Sequence, residues 1–168
     1  MLALLLLSSV AAFSGNPVDQ KISDSLAWEN KEAASTLSDF TLWANILGSA
    51  TYAATAKDRR KERLITTAAA HGINSSFNFL VKKVSNRERP NKKDNLSFYS
   101  GHTSTAFTSA GLICLQTNKR VCSYSIGLAA LTGYLRIAST WHWPSDVIVG
   151  AGIGFVSGKY LPTIIVNF

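Results

Sequence analysis

An all-α helical bundle of about five to six helices is the fold class this sequence predicts, on three observations. Apolar segments of helical length recur near 40–56, 64–81, 104–117, 121–138 and 147–166. Ala and Leu dominate much of them, and Gly and Pro mark their borders, as expected of helices and the breaks between them. No four-residue alternating run of Val, Ile, Thr or Tyr bounded by hairpin turns occurs, so the signature of strands is missing.

In chain order, residues 1–13 form an apolar run, followed by Ser14-Gly15-Asn16-Pro17. Small residues around Val10 to Ala12 offer a signal-peptidase site, so residues 1–15 read as an export signal or membrane anchor. A basic leader region is missing, which keeps open an uncleaved anchor, a short first membrane helix, or a start codon assigned too far downstream. Residues 16–168 then form a single domain, since 168 residues build one buried core and leave little for a second. The stretch 18–39 is polar and precedes the first of the apolar segments. Helix 40–56 runs into the charged loop Lys57-Asp-Arg-Arg-Lys-Glu-Arg63, and helix 64–81 is followed by the polar loop 85–99.

Helix 64–81 carries His71, Asn74, Ser75, Ser76 and Asn78. Such side chains at mid-bilayer cost a few kcal/mol each unless they face a packed interior, and most of the segments are shorter than the roughly 20 residues of a span. Both points favour a water-soluble bundle. The main alternative is a six-pass membrane protein. In an alternating topology Lys57 to Arg63 and Lys119-Arg120 fall on one side, opposite the motifs described below, as the positive-inside tendency predicts.

Composition sits between the two cases: 16% charged, 46% apolar, mean hydropathy +0.11. The net charge of +7 suits anionic partners such as phosphates or acidic lipid surfaces. Nucleic acid is not predicted, because the basic residues lack a reader motif. Membrane association and a location in the periplasm or at the extracytoplasmic face of a membrane fit the leader and the charge.

Three clusters carry chemistry: Lys82-x6-Arg89-Pro90, Ser100-Gly101-His102 and Arg136-x5-His142-x3-Asp146. Phosphoryl transfer needs neutralised non-bridging oxygens, an in-line nucleophile and a proton for the leaving group. Lys82, Arg89 and Arg136 supply the cations, the arginines as forked donors matched to phosphate and Lys82 as a point charge. Together they stand in for a metal ion, so no metal and no organic cofactor is expected. Pro144 suits a first helical position, which puts Asp146 in the first turn of the last helix near His142. A carboxylate bonded to one ring nitrogen leaves the other free to attack phosphorus. His102 is placed to protonate the leaving oxygen and then deprotonate water. Ser100 and Gly101, at a helix start, make an anion site.

Each residue alone has a plainer reading. A single cation is usually solvated surface, the reading kept for Lys83, Arg87, Lys92 and Lys93. Asp146 alone is a favourable first-turn acid, Ser100 an ordinary N-cap, and His71, outside every cluster, a structural residue. Trp141, Trp143, Phe98 and Tyr99 either wall a pocket, anchor at a lipid interface or pack in the core. Cys114 and Cys122 either pair or act as small buried hydrophobes.

The clusters and their order resemble the type 2 phosphatidic acid phosphatase and vanadium haloperoxidase superfamily. Its motifs read Lys-x6-Arg-Pro, Pro-Ser-Gly-His and Ser-Arg-x5-His-x3-Asp, and the resemblance covers residues 82–146. Tyr99 stands where the second motif usually has Pro, and Leu135 where the third usually has Ser; neither position carries charge. The resemblance implies an all-α phosphatase that cleaves a phosphomonoester, or a lipid phosphate or pyrophosphate, through a phosphohistidine at His142. It also admits a vanadate-dependent haloperoxidase. The departures at Tyr99 and Leu135 leave room for a catalytically silent phosphate-binding membrane protein.

Overall fold

The computed structural model describes residues 16–166, so the leader segment 1–15 lies outside the described residues. Six helices follow one another: α1 (Pro17–Leu26), α2 (Lys31–Ala54), α3 (Arg60–Ser85), α4 (Gly101–Gln116), α5 (Lys119–Ala138) and α6 (Pro144–Val166). No strand occurs among the described residues.

The polar stretch 18–39, to which the sequence assigns no element, holds α1 and the start of α2. Local capping explains the starts. The Asn16 side chain accepts from Val18 N at 2.9 Å ahead of Pro17, and Asn30 accepts from Ala33 N at 2.9 Å. Segment 57–63 is likewise only partly a loop, since α3 begins at Arg60.

Beside its apolar clusters the interior carries many small polar side chains, and several large apolar side chains lie on the outside. The buried stripe of α2 is Ala34, Ser38, Thr41, Asn45, Ser49 and Ala53, while Phe40, Trp43 and Leu47 are exposed. This inner stripe is bonded to α5: Ser125 donates to Asn45 Oδ1 and Thr132 to Thr41 Oγ1, each at 2.8 Å. On α3, Asn74 and Asn78 face inward, where Asn74 accepts from Ser104 Oγ at 2.7 Å and Asn78 donates to the Tyr99 carbonyl at 2.9 Å. Ile73, Phe79 and Leu80 point out. Small residues at helix contacts with polar side chains bonded between helices are how helices associate where no water drives burial. Two helices, Lys119–Ala138 and Pro144–Ile165, are long and apolar enough to cross a membrane.

The closest approach is between α4 and α6, which run parallel. Gly150, Gly154 and Gly158 recur every fourth residue on α6, and a methyl at Gly154 or Gly158 would overlap the carbonyl oxygen of Ser104 or Thr108. Only a hydrogen fits there.

The connections put the predicted motifs at one end. The C-termini of α3 and α5, the N-termini of α4 and α6, and the connections 86–100 and 139–143 meet there. Asn91 N donates to Thr140 O at 3.1 Å and Trp143 Nε1 to Glu88 O at 2.8 Å, which ties the two connections together. At the other end lie the α2–α3 and α4–α5 turns, beside a Cys114–Cys122 disulfide. Of the two readings left open for these cysteines, the fold takes the paired one.

Candidate active site

A cleft of about 470 Å³ opens at the motif end, lined by Ser35, Asp39, Asn78, Lys82, Arg89, Gly101, His102, Arg136, Trp141 and His142. Six predicted residues, Lys82, Arg89, Gly101, His102, Arg136 and His142, therefore share one wall. The other two do not line it. Asp146 is buried behind His142, and Ser100 is buried beneath the start of α4, where it accepts from Thr103 N as the N-cap. The Ser100 hydroxyl faces away from the cleft because the helix start uses it.

Backbone turns aim the side chains. Arg136 sits in the last turn of α5, and Thr140, at φ 55°, reverses the chain so that Trp141 N and His142 N both donate back to the Arg136 carbonyl at 3.1 and 3.3 Å. His142 is thereby folded in beside Arg136. On the opposite side, a Cβ at position 101 would lie 2.8 Å from Asn78 Oδ1, so glycine lets α4 begin close against α3.

The protonation of His142 follows from its partners. Nδ1 lies 2.8 Å from the Ser97 carbonyl, which only accepts, so Nδ1 carries the hydrogen. Nε2 then presents its lone pair, and Arg89 Nη1 donates to it from 3.2 Å. Burial, helped by the charges of Lys82 and Arg136 and opposed by Asp146, pulls this imidazole down to about 3. The ring is neutral at physiological pH with Nε2 facing the cations.

Asp146 does not make the direct bond to the ring that the sequence suggested. Its Oδ2 is 3.7 Å from His142 Nδ1, beyond hydrogen-bond reach. That oxygen instead accepts from Ser97 Oγ at 2.5 Å and Trp143 N at 3.0 Å. Asp146 thus fixes the strand of chain whose carbonyl holds His142, one link removed from the imidazole. Its Oδ1 accepts from Arg87 Nη1 at 2.6 Å, while Arg87 Nη2 donates to Asp19 of α1 at 2.7 Å. Arg87 is wholly buried, which corrects its reading as a solvated cation. Two carboxylates from distant parts of the chain repay its desolvation.

The phosphate-type cations are individually tethered. Arg89 donates through Nε to Asp94 at 2.7 Å and through Nη1 to the Trp141 carbonyl at 2.9 Å. Lys82 Nζ donates to the Leu96 carbonyl. Arg136 Nη1 lies 3.3 Å from Ser38 Oγ and 3.5 Å from Ser35 Oγ. The Trp141 ring is shared, with Arg89, Arg136 and Lys93 at 5.0, 5.3 and 4.9 Å from its centroid. Trp141 is therefore a wall of the cleft, whereas Phe98 and Tyr99 pack in the core with Val81. Leu135 packs with Ala34 and Ala138, so both departures from the family pattern are core positions.

His102 Nε2 lies 2.8 Å from Asp39 Oδ1 on α2. Asp39, Asp19, Ser97 and Arg87 have no sequence signal as site-building residues because each stands in a polar stretch without a spacing of its own, and Asn78 reads only as a polar residue within an apolar helix. Among the described residues, no group of three His, Cys, Asp or Glu side chains is arranged to hold a metal ion.

Comparison with known proteins agrees with this geometry. The profile of the PAP2 superfamily matches residues 61–168. A lipid A 1-phosphatase of Porphyromonas gingivalis is 41% identical over 76 residues, an alignment that takes in 44% of this chain and 17% of that protein. The fold is similar to the crystal structure of a transmembrane PAP2 type phosphatidylglycerolphosphate phosphatase from Bacillus subtilis, with TM-score 0.75 and 18% identity over 99% of this chain and 94% of that one. It is also similar to Aquifex aeolicus LpxE, with TM-score 0.67 and 21% identity over 88% and 94% of the two chains. With its motif residues in one cleft and the family profile spanning more than half of its length, this chain belongs to the PAP2 superfamily.

Proposed function

We propose that this protein hydrolyses a lipid phosphate monoester or pyrophosphate through a phosphohistidine at His142, without a resident metal or organic cofactor. The observation that carries the reading is the neutral His142, whose Nε2 lone pair meets Arg89 Nη1 at 3.2 Å inside a cleft that also holds Lys82 and Arg136. Only a group that attacks or binds an electrophile between those cations makes use of a lone pair held there.

In the first step the Nε2 lone pair forms the P–N bond while the P–O ester bond breaks and its electron pair goes to the leaving oxygen. Protonated His102 gives that oxygen a proton. In the second step His102 takes a proton from water, the water oxygen attacks phosphorus, the P–N bond breaks and its pair returns to Nε2. Lys82, Arg89 and Arg136 neutralise the non-bridging oxygens in both.

A lipid substrate is supported by the lipid phosphatases among the relatives and by the apolar outer surface, where Phe40, Trp43, Leu47, Phe79 and Leu80 are exposed. We place the bundle in a membrane for the same reason, with its cleft on the extracytoplasmic side. The basic residues 57–63 and 119–120 lie at the opposite end, as cytoplasmic ends do.

The test is phosphate release by purified wild type and His142→Ala, with chelator present, across lipid phosphates that include lipid A and phosphatidylglycerol phosphate and across soluble esters. Chelator-resistant turnover lost in the mutant is expected. Equal rates in both proteins would overturn the histidine mechanism, and peroxide-dependent halide oxidation with added vanadate but no ester hydrolysis would replace it with the haloperoxidase reading.

A further inference from the structure

The carboxylate of Asp39 stands at the mouth of an anion-binding cleft, where it repels the phosphate that the three cations attract. It is about half exposed, 2.8 Å from His102 Nε2 and 3.9 Å from Arg136 Nη1. Exposed ion pairs of this kind contribute little to stability, so neither substrate affinity nor folding accounts for it. Its place on α2 is ordered by the neighbouring turn, in which Ser35 and Ser38 hold Arg136. Residues 61–168 carry the family match, and α2 precedes them.

We propose that Asp39 is the positioning residue of the acid/base half of the site, holding His102 by Nε2 so that Nδ1 meets the oxygen that leaves and the water that attacks. The inference rests on the phosphatase reading above. A carboxylate accepts only, so Nε2 keeps its hydrogen throughout and Nδ1 is the nitrogen left to exchange a proton. In the first step Nδ1–H passes its proton to the leaving oxygen as the P–O bond breaks; in the second, the Nδ1 lone pair takes one from water as the P–N bond breaks. The charged groups around this ring are Asp39 from α2, Lys82 from α3 and Arg136 from α5, with Arg89 and His142 from the connecting segments. Asp39 is the single anion among them. Without it the ring faces cations alone, and the imidazolium needed for the first step is disfavoured.

A general acid matters when the leaving group is poor and hardly at all when it leaves unaided. The experiment therefore compares kcat/KM on an unactivated alkyl phosphate and on p-nitrophenyl phosphate for wild type, Asp39→Asn, Asp39→Glu and His142→Ala, with inorganic phosphate inhibition as a measure of the cleft. For Asp39→Asn we expect a loss of about ten- to a hundredfold on the alkyl ester, a change under about threefold on the aryl ester, and phosphate binding as tight as wild type or tighter. Asp39→Glu should restore part of the alkyl-ester rate. An equal loss on both esters would reduce Asp39 to a structural residue, and no loss on either would remove it from the site; both overturn the inference while His142→Ala still tests the reading beneath it. A wild type that releases phosphate from neither ester nor any lipid phosphate overturns both together.

Discussion

Arg89 and His142 are bonded across the cleft, with Nη1 of the arginine 3.2 Å from the imidazole Nε2. The same guanidinium is fixed at Nε by Asp94 and at Nη1 by the Trp141 carbonyl. In the proposed mechanism a phosphate oxygen arriving between them would take the donor and free the lone pair, so one arginine would both hold the nucleophile and receive the substrate. Arg89→Ala should lower kcat/KM by about a hundredfold or more. Arg89→Lys should recover little, because a single ammonium reproduces neither the fork nor its tethers. Steady-state kinetics of the two variants checks this, and full rescue by lysine would refute it.

His142 also ties stability to pH. Its imidazole falls from an ordinary 6.5 to about 3 on folding, chiefly through burial. Between those values the unfolded chain holds a proton that the folded chain refuses, so the stabilising contribution is complete above about pH 6.5 and is lost as pH falls toward 3. Thermal melts in detergent should be flat for this group above neutrality and decline on acidification, less steeply in His142→Ala. The acid limb of the rate profile should show no step near 6.5 from this residue.

Arg87 binds Asp146 and Asp19 at 2.6 and 2.7 Å in a fully buried setting. Arg87→Leu leaves both carboxylates without that guanidinium, and removing one partner of a buried pair costs roughly 3–5 kcal/mol. A large fall in melting temperature is expected although Arg87 never meets the cleft. Asp146→Asn keeps the shape and leaves Arg87 to Asp19, so it should melt closer to wild type and slow turnover by roughly tenfold, well short of the loss in His142→Ala. Identical melting curves for the two would show that the triad is not what holds α1 and α6 together.

The disulfide reports orientation. Cys114 and Cys122 pair at the same end as the basic residues 57–63 and 119–120. A disulfide persists in an oxidising compartment and is reduced in a cytoplasmic one, so the proposed cytoplasmic placement of that end requires the pair to be reduced in cells. Trapping intact cells with a permeant maleimide should label both. A bond already present in trapped cells would put the basic end outside and reverse the proposed topology.

Reading the chain for spacing captured the cleft better than reading it for hydropathy captured the bundle. Lys82, Arg89, His102, Arg136 and His142 were found because their intervals are set by short connections between helix ends, and intervals survive in one dimension. Asp39 and Asp19 meet His102 and Arg87 only through the packing of α2 and α1, and nothing in the sequence near 18–39 marks such a meeting. The same stretch carries no apolar periodicity because its inward face is Ala34 and Ser38 rather than Leu or Ile. The exposure of Phe40, Trp43 and Leu47 reverses the polarity on which the water-soluble reading depended. Asn74 and Asn78, polar residues within an apolar segment, face inward, where each has a hydrogen-bond partner.

The glycines of α6 set more than a packing distance. His102 is the second residue of α4 and Asp146 the third of α6, and these parallel helices are locked carbonyl to α-carbon along Gly150, Gly154 and Gly158. The separation between the start of α4, which carries His102, and the turn before α6, which carries His142, is thus inherited from two backbones, with no rotamer able to alter it. Gly154→Leu should abolish the fold outright, since the carbonyl of Ser104 cannot yield. The outer surfaces, by contrast, are free to change while the residues at the end of the rail stay in register.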